Sequence, residues 1–454
     1  MRKIAIIGAG SVTFIASLIK DLAATESLHG IELSLMDIDE ERLKMSYQLA
    51  KRYFDELKIN ILVTKTLDRR ECIKEAAIVL NTASQISNVE IDTAIRTAER
   101  FNYYRGIDAQ EWNMVTNYLT FTGYKNLKIA LEVAKDIEEL APNAWMIQIA
   151  NPVFEITTLV LRQSKTKIIG YCHGSEGGMA FLARKALEIK NEDIQFKVAG
   201  FNHVVFLTEL KYKGDNGYHL IDEWIKEKAN IFWKDYILGP WEETLSKAAV
   251  DMYHLYGLYP LGDTPRSGTW KYHYNLETKE RWYGTIGGID SEIGMAMRLF
   301  FYQGLFNDLK NTAFDMKNPV TKKLVPGRTS EKIIDAVDSL LNSVDRRIIL
   351  NVKNENSIPG LPPDVAVEIP VYINGDGIKP EVVTPLKKEM YLNVLYPRLK
   401  RMEYALDAFI NGSKEPIVNM LNEDPRTKSE RQANEAIEAV FSLPFNKELK
   451  NHYK

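Results

Sequence analysis

Short apolar runs alternate with amphipathic patterns over the first two hundred residues. The apolar runs predict buried strands near 3–8, 32–37, 60–64, 77–82, 144–150 and 167–172. Apolar positions at helical spacing predict helices near 11–24, 39–57, 88–101, 125–140 and 176–188. Strands and helices that alternate in this way are typical of an α/β fold, in which helices cover a parallel sheet.

The pattern changes at about residue 199. Longer polar-apolar strands follow, such as 201–212, then an aromatic-rich loop region at 251–284 and long helices near the C-terminus. These features predict a mixed α+β architecture for the second part. Because 454 residues exceed what one hydrophobic core usually organises, we expect two fused domains, 1–199 and 200–454.

Composition narrows the possible partners and the cellular setting. The chain has 45% hydrophobic and 26% charged residues and a formal net charge of -3, so it lacks the basic character of a nucleic-acid-binding protein. No window approaches the roughly 18 uninterrupted apolar residues of a membrane span, and two cysteines cannot form a disulfide framework. We therefore expect a reduced cytoplasmic setting, with neither nucleic acid nor a membrane as partner.

A dinucleotide fingerprint lies between the first predicted strand and the first predicted helix. Gly8, Gly10 and Ser11 stand where backbone amides and a helix N-terminus hold a pyrophosphate, although Thr13 replaces the last glycine of the motif. Asp37 ends the second strand, where a carboxylate accepts hydrogen bonds from ribose hydroxyls and repels a 2′-phosphate. The pattern predicts a Rossmann-like domain that binds NAD in preference to NADP.

Polar residues follow three further predicted strands. Asn81 ends the fourth strand, Asn151 follows the fifth, and Cys172 ends the sixth. Ligands of open α/β sheets bind at this carboxyl edge, so Asn81 and Asn151 are candidates for contact with the cofactor. Polar residues also cap strands without any ligand, and that alternative stays open.

Cys172 and His203 are candidate metal ligands. A thiolate and a neutral imidazole suit a borderline divalent ion such as Mn, Fe, Co or Ni, and two protein ligands leave coordination positions for substrate oxygens. The residues alone favour the alternative that Cys172 is a small buried apolar side chain, which is the commonest role of a free cysteine.

The loop 257–266 is rich in turn residues and carries an acid and a base three positions apart. Asp263 is a candidate proton acceptor, and Arg266 either orients it or binds an anionic substituent. Tyr272 and Tyr274 follow, and aromatic rings of this kind stack on sugars. A surface ion pair beside an aromatic packing cluster is the structural alternative.

Seven segments together carry a resemblance to a known family. They read GAGSVTF (8–14), YYRGIDAQEWNMV (103–115), IANPVFE (149–155), GYCHG (170–174), VAGFNH (198–203), GDTPR (262–266) and DPRTKS (424–429). Over essentially its whole length the chain resembles the NAD- and manganese-dependent glycoside hydrolases of family 4. Its Cys-His-Gly sequence is similar to the branch of α-glucosidases and α-glucuronidases, and differs from the phospho-sugar branches.

The resemblance implies a fold and a set of binding residues. The fold would be like that of lactate and malate dehydrogenases, with a Rossmann-like parallel sheet fused to an α+β catalytic domain. The implied NAD contacts are Gly8, Gly10 and Asp37, the implied metal ligands are Cys172 and His203, and Asn151 would lie near both cofactor and sugar.

The resemblance also implies catalytic roles. His173 stands at the position that protonates the leaving group, and Asp263 matches the carboxylate proposed as base in this branch. Some family members use a tyrosine base, so Tyr272 and Tyr274 remain alternatives. Apart from these roles, Arg105 and Arg266 are each candidates to bind the carboxylate of a uronic acid, with a structural ion pair as an equal alternative for either.

The implied activity is hydrolysis of an α-glycosidic bond, with glucosides as the expected substrates. In this family NAD oxidises C3 of the sugar, a base removes the C2 proton beside the metal, and elimination expels the leaving group, so paired-carboxylate hydrolysis does not apply. Glucuronides, galacturonides and galactosides are the alternative substrates. A dehydrogenase of hydroxy acids or polyols and a non-catalytic NAD sensor are the other functional classes. Family members also imply a homodimer or homotetramer.

Overall fold

The computed structural model describes residues 1–105, 123–289 and 291–454, so most of the segment 103–115 lies outside the described residues. The strands, in chain order, are β1 Lys3–Ile7, β2 Glu32–Met36, β3 Leu62–Thr66, β4 Ile78–Asn81, β5 Trp145–Gln148, β6 Lys167–Gly170, β7 Ile194–Phe201, β8 Val204–Tyr212, β9 Asp215–Asn216, β10 Tyr259–Leu261, β11 Arg346–Lys353, β12 Ala366–Asn374 and β13 Gly377–Pro380.

Nineteen α-helices lie in the described part of the chain. They are α1 Ile15–Ala23, α2 Glu40–Leu57, α3 Arg69–Ile73, α4 Asn88–Glu99, α5 Tyr124–Leu140, α6 Val153–Gln163, α7 Gly174–Phe181, α8 Tyr218–Glu223, α9 Ala229–Asp235, α10 Lys247–Tyr256, α11 Thr264–Ser267, α12 Leu276–Tyr283, α13 Glu292–Phe314, α14 Ile333–Asn342, α15 Lys388–Met390, α16 Tyr396–Asn411, α17 Glu415–Asn422, α18 Glu430–Phe441 and α19 Lys447–His452. Among the described residues, no helix has the length and apolar character needed to cross a membrane.

The strands form one continuous sheet with a parallel and an antiparallel part. The parallel part has the order β3-β2-β1-β4-β5-β6, which is the Rossmann order and confirms the predicted α/β class. The sheet then continues through β11, β12, β7, β8 and β10, each antiparallel to its neighbour. The carboxyl end of β6 therefore lies beside the antiparallel half of the sheet.

One large apolar core joins the two halves of the chain. It includes Ile4 on β1, Val367 on β12 and Tyr453 near the C-terminus, all fully buried. A smaller cluster lies around β7, β8 and α10 and includes Leu207. The predicted domain boundary between residues 199 and 200 falls inside β7, and the division into two domains stays a prediction.

The predicted strand 201–212 is wrong in one respect that matters for the site. Two antiparallel strands, β7 and β8, meet there, and Phe201 pairs with Val204 across a turn made by Asn202 and His203. The prediction extended one strand through this turn, although Asn202 and His203 are two polar residues between apolar runs. His203 lies at the tip of the resulting hairpin.

Two further differences concern helices. The segment after Asn151 forms α6, which the sequence patterns did not predict. Helix α1 begins at Ile15 instead of near residue 11, because hydrogen bonds from the amide of Ser11 to the carbonyl of Gly8 and from Phe14 to Ser11 form turns first.

Candidate active site

The glycine turn after β1 is built from backbone hydrogen bonds and close contacts. Gly8 has a φ of +84°, and a Cβ there would lie 2.4 Å from the Cα of Ala83. The amides of Gly8 and Ala9 both donate to the carbonyl of Met36, at 2.9 and 2.8 Å. This turn therefore requires glycine at position 8 and brings β1, β2 and β4 together at the carboxyl edge.

Asp37 lies directly beside the turn. Its Oδ2 accepts a hydrogen bond from the amide of Gly10 at 2.8 Å, and its Oδ1 accepts one from Asp39 at 2.9 Å. Each carboxylate oxygen has a second lone pair, so both can still accept from a ribose hydroxyl. The geometry is compatible with the NAD-binding role predicted for Gly8, Gly10, Ser11 and Asp37.

The contacts of Asn81 weigh against the predicted contact with the cofactor. Its side chain is fully buried, and its Nδ2 donates to Oε1 of Gln148 at 2.7 Å. Its carbonyl accepts from the amides of Ile149 and Ala150, so Asn81 joins β4 to the end of β5. Asn151 follows Ala150 in the chain. It is only partly buried, which is compatible with a position beside a cofactor and a sugar.

The structure brings Cys172 and His203 together. Sγ of Cys172 lies 3.6 Å from Nε2 of His203, although the two residues are 31 positions apart in the chain. Metal–sulfur and metal–nitrogen bonds are about 2.3 and 2.1 Å long, so one divalent ion fits between two atoms at this separation. The described residues bring no third His, Cys, Asp or Glu into a recognisable ligand group with them.

The imidazole already has the protonation state of a metal ligand, whereas the thiol must lose its proton when a metal binds. Burial lowers the pKa of His203 to about 4, so its imidazole is neutral at pH 7 and can donate a lone pair. Burial raises the pKa of the Cys172 thiol well above its usual value, and nearby Glu368 raises it further. Hydrogen bonds from Asn202 and from the amide of Gly174 oppose this shift and favour the thiolate.

Asp263 lies against the same pair. Its Oδ2 is 3.4 Å from Nε2 of His203, and its Oδ1 accepts a hydrogen bond from Arg266. Burial opposes ionisation of Asp263, but the charge of Arg266, with a further contribution from His173, outweighs it and lowers the pKa of this carboxyl. Asp263 is thus an ionised carboxylate beside the two candidate ligands.

Arg266 is fully buried between carboxylates. Nη1 of Arg266 is 3.4 Å from Oε1 of Glu243, and Nη2 contacts Asp263. Because both contacts are negatively charged, the arrangement favours the orienting role of Arg266 over the alternative of binding an anionic substrate.

His173 lies beside the cofactor turn. Its Nδ1 is 3.2 Å from Oε1 of Glu331, and its ring centroid is 6.2 Å from that of Phe14. The His173 side chain is 51% exposed. Its partial desolvation disfavours the charged imidazole, but hydrogen bonding and charge from Glu331 outweigh this effect and raise the pKa of His173. The contact with Phe14 brings the glycine turn and the Cys172 loop to one rim.

Two close backbone approaches hold the Asp263 loop near Cys172. A Cβ at Gly178 would lie 2.4 Å from the amide nitrogen of Gly262, and one at Gly262 would lie 2.6 Å from the carbonyl oxygen of Gly174. The hydroxyl of Thr264 also donates to the carbonyl of Val205 at 2.9 Å. Helix α7, strand β8 and the segment 262–266, which leads into α11, therefore pack tightly around the candidate ligands.

Two tyrosines and one arginine have contacts that weigh against their predicted roles. The hydroxyl of Tyr272 is buried and donates to Asp251 at 2.7 Å, and burial and Asp251 raise its pKa, which makes it a poor base. Tyr274 is 45% exposed. Arg105 is fully buried, with its Nε 3.1 Å from Oε1 of Glu99, as in the structural ion-pair alternative.

Four further residues surround the site and were not predicted from the sequence. They are Glu368, Ser175, Asn202 and Glu331. Glu368 is 2% exposed and accepts side-chain hydrogen bonds from both Ser175 and Asn202. One signal was available for it, since an acidic residue stands inside the apolar run AVEIPVYI, where burial requires hydrogen-bond partners. No comparable signal marked Ser175 or Asn202.

Comparison with known proteins connects this geometry to a family. The model of the family 4 glycosyl hydrolases matches residues 3–188, and the model of the family's C-terminal domain matches residues 198–427. A probable 6-phospho-β-glucosidase of Bacillus subtilis is 28% identical over 97% of this chain and 95% of its own length. An α-galactosidase of the same species is 32% identical, but the match spans 50% of this chain and 52% of that enzyme.

Solved structures have the same fold. A 6-phospho-α-glucosidase from gut microorganisms, solved in complex with NAD and Mn²⁺, superposes with a TM-score of 0.78 at 18% identity over 97% of this chain and 98% of that one. Malate dehydrogenase of Plasmodium falciparum gives a TM-score of 0.50 at 17% identity over 90% of this chain and 100% of its own. These matches confirm the predicted dehydrogenase-like architecture, and the two family models show that this chain belongs to the family 4 glycosyl hydrolases.

Proposed function

We propose that this enzyme hydrolyses α-glucosides, with NAD bound at the glycine turn and Mn²⁺ or a similar divalent ion held by Cys172 and His203. The observation that carries this proposal is the convergence of three groups: Asp263 Oδ2 and Cys172 Sγ lie 3.4 and 3.6 Å from the same nitrogen of His203. A carboxylate base beside a thiolate-imidazole pair matches elimination chemistry better than paired-carboxylate hydrolysis.

The cofactors have distinct tasks in the proposed reaction. When bound, NAD would supply redox chemistry to the sugar, and the divalent ion would supply Lewis-acid stabilisation of the negative charge that develops on it. Cys172 and His203 would hold the ion, while Gly8, Gly10, Ser11 and Asp37 would hold the dinucleotide. Asn151 follows β5 between these regions and would position the sugar.

The acid and the base come from the chain itself. Asp263 is ionised and would remove the proton from C2, with Arg266 fixing the orientation of its carboxylate. His173 holds Glu331 through Nδ1, so Nε2 is the nitrogen that would protonate the leaving oxygen at C1. Glu331 raises the pKa of His173, which keeps a proton available for that step.

The sugar and its linkage are the least constrained part of this proposal. Relatives include α-galactosidases, α-galacturonidases and 6-phospho-β-glucosidases, so several substrate classes occur among them. The ion pairs of Arg266 and Arg105 with acidic side chains support a neutral hexoside over a uronide. The Cys-His-Gly sequence supports the α-glucoside over phospho-sugars.

A panel of aryl glycosides tests the proposal. α-Glucosides, α-galactosides, α-glucuronides, α-galacturonides and both anomers of 6-phosphoglucosides are assayed with NAD, Mn²⁺ and a thiol reductant. We expect release of the phenol from the α-glucoside, with no net accumulation of NADH. Turnover of another sugar alone would refute the specificity. Accumulation of NADH with a simple alcohol would indicate a dehydrogenase and refute the proposed reaction.

Assembly and location also remain proposals. Helix α13 exposes Ile293, Met297, Phe300 and Phe301 at helical spacing, and an apolar stripe of this kind supports a homodimer or homotetramer. Cys172 must be reduced in order to bind a metal, which supports the reducing cytoplasm as the setting. Sedimentation of the wild type and of Phe300→Asp would test the oligomeric state. We expect the variant to form a smaller assembly than the wild type.

A further inference from the structure

We propose that Glu368 is the positioning residue of the metal site, because its buried carboxylate fixes the two chain segments that carry Cys172 and His203. This inference rests on the proposed metal-binding role of that pair. Glu368 lies on β12 and is 2% exposed. Its described hydrogen bonds do not involve the sulfur of Cys172 or the imidazole of His203. Glu368 would therefore act through its neighbours.

The sheet places Glu368 on a strand between β7 and β6, the two strands that lead to the candidate ligands. Gly170 on β6 pairs with Asn351 on β11, Asn351 pairs with Glu368 on β12, and Glu368 pairs with Gly200 on β7. Residues opposite each other on neighbouring strands share a face of the sheet. Cys172 follows Gly170 by two residues and His203 follows Gly200 by three, so this row connects the two ligands.

Both glycines in the row are required by close contacts. A Cβ at Gly170 would lie 2.9 Å from the Cβ of Asn351, and one at Gly200 would lie 2.0 Å from the carbonyl oxygen of Val204. Of the four paired residues in this row, only Asn351 and Glu368 therefore have side chains.

Three side chains donate to the Glu368 carboxylate. The hydroxyl of Ser175 donates to Oε1, while Nδ2 of Asn202 and Nδ2 of Asn351 donate to Oε2 at 2.9 and 3.2 Å. Ser175 is the second residue of helix α7, three positions after Cys172, and Asn202 directly precedes His203. One carboxylate thus holds both ligand segments by a hydrogen bond each.

The hairpin turn needs such a restraint. His203 has a φ of +65°, a left-handed conformation that is unfavourable for a non-glycine residue. The strained conformation persists only if the surroundings determine it, and the bond from Asn202 to Glu368 does so. Without that bond we expect the imidazole to leave its position 3.6 Å from the sulfur of Cys172.

Glu368→Gln tests this role by metal binding instead of turnover. Glutamine keeps the size of the side chain but has one acceptor oxygen, so it cannot accept from Ser175 and Asn202 in the present geometry. We expect the dissociation constant for Mn²⁺ to rise about 10-fold to 100-fold, as is usual for partners that orient metal ligands. The thiolate-to-metal absorption band of the Co²⁺-loaded protein should weaken in parallel, whereas NAD affinity should stay the same.

Two further variants separate positioning from charge and from general stability. Ser175→Ala removes one hydrogen bond but keeps the carboxylate, and should raise the Mn²⁺ dissociation constant about 3-fold to 10-fold. Asp338→Asn is the matched control, because Asp338 is also 2% exposed and accepts side-chain hydrogen bonds from Ser27, Asn342 and Arg346. Metal affinity should not change in the control.

Each outcome has a defined meaning. Wild-type Mn²⁺ affinity in Glu368→Gln would overturn the inference, as would an equal loss in Asp338→Asn. A loss in Glu368→Gln with none in Ser175→Ala would also overturn it, because only the charge of Glu368 would then matter. If the wild type itself bound neither Mn²⁺ nor Co²⁺, the proposed metal site would fail instead.

Discussion

The glycine turn and the Cys172–His203 pocket lie on one rim but are built in different ways. The turn is held by backbone hydrogen bonds and by a glycine beside Ala83, within strands that pair in parallel. The pocket joins residues from distant parts of the chain through side-chain hydrogen bonds to a buried carboxylate. The difference suggests that cofactor binding and metal binding can be lost separately.

Cys172→Ser should have the largest effect. A serine hydroxyl does not ionise readily and is a poorer ligand for a borderline metal, so we expect activity to fall by at least about 1000-fold. NAD affinity should change less than 2-fold or so, since the turn needs no side chain of the pocket. Activity with Mn²⁺ and equilibrium binding of NAD measure both effects. Full activity in this variant would refute the ligand assignment.

Asp263→Asn should come next. Loss of a general base typically lowers kcat by about 10²-fold to 10⁴-fold, and asparagine preserves the shape of the side chain. Because Asp263 Oδ2 lies close to His203, the Mn²⁺ dissociation constant must be measured as well. An unchanged constant with reduced kcat supports the base role, whereas a large rise in the constant would identify Asp263 as a third ligand.

Tyr272→Phe is the control for the base assignment. The hydroxyl of Tyr272 is bound to Asp251 and buried, so its removal should lower kcat less than about 3-fold. A loss as large as that of Asp263→Asn would restore tyrosine as the base.

Asp37→Ala should affect the turn alone. It removes the acceptor for the amide of Gly10 and for a ribose hydroxyl, and hydrogen bonds to charged groups are worth about 1.5–3 kcal/mol. We expect NAD affinity to fall about 10-fold to 100-fold and discrimination against NADP to weaken. Mn²⁺ affinity should stay at the wild-type value. A parallel loss of metal affinity would contradict the separation of the two regions.

Local patterns predicted the turn well and the pocket only in part. The strand, glycines and Asp37 lie within one short stretch, so sequence order alone placed them together. Cys172 and His203 lie close together, as the prediction requires. The predicted strand ran through the reversal at Asn202, although two polar residues there separate apolar runs. The contacts that weigh against the predicted roles of Asn81 and Tyr272 are made with Gln148 and Asp251, which lie 67 and 21 positions away in the chain, so local patterns did not show them.

Glu368 shows the limit most clearly. It lies 165 residues after His203 in the chain, and only the antiparallel pairing of β12 with β7 brings it to the ligands. Its acidic side chain in an apolar strand indicated a buried function, yet nothing local indicated which donors it would meet. Contacts of this kind follow from sheet topology and cannot be derived from spacing.

Deuterium incorporation tests the central claim most directly, namely that the glycosidic bond is cleaved after removal of the C2 proton. The reaction is run in deuterated water with NAD and Mn²⁺, and the released sugar is examined by NMR or mass spectrometry. We predict deuterium at C2 of the product, because the proton that Asp263 removes exchanges with solvent before it is replaced. A product with only hydrogen at C2 would contradict the elimination route.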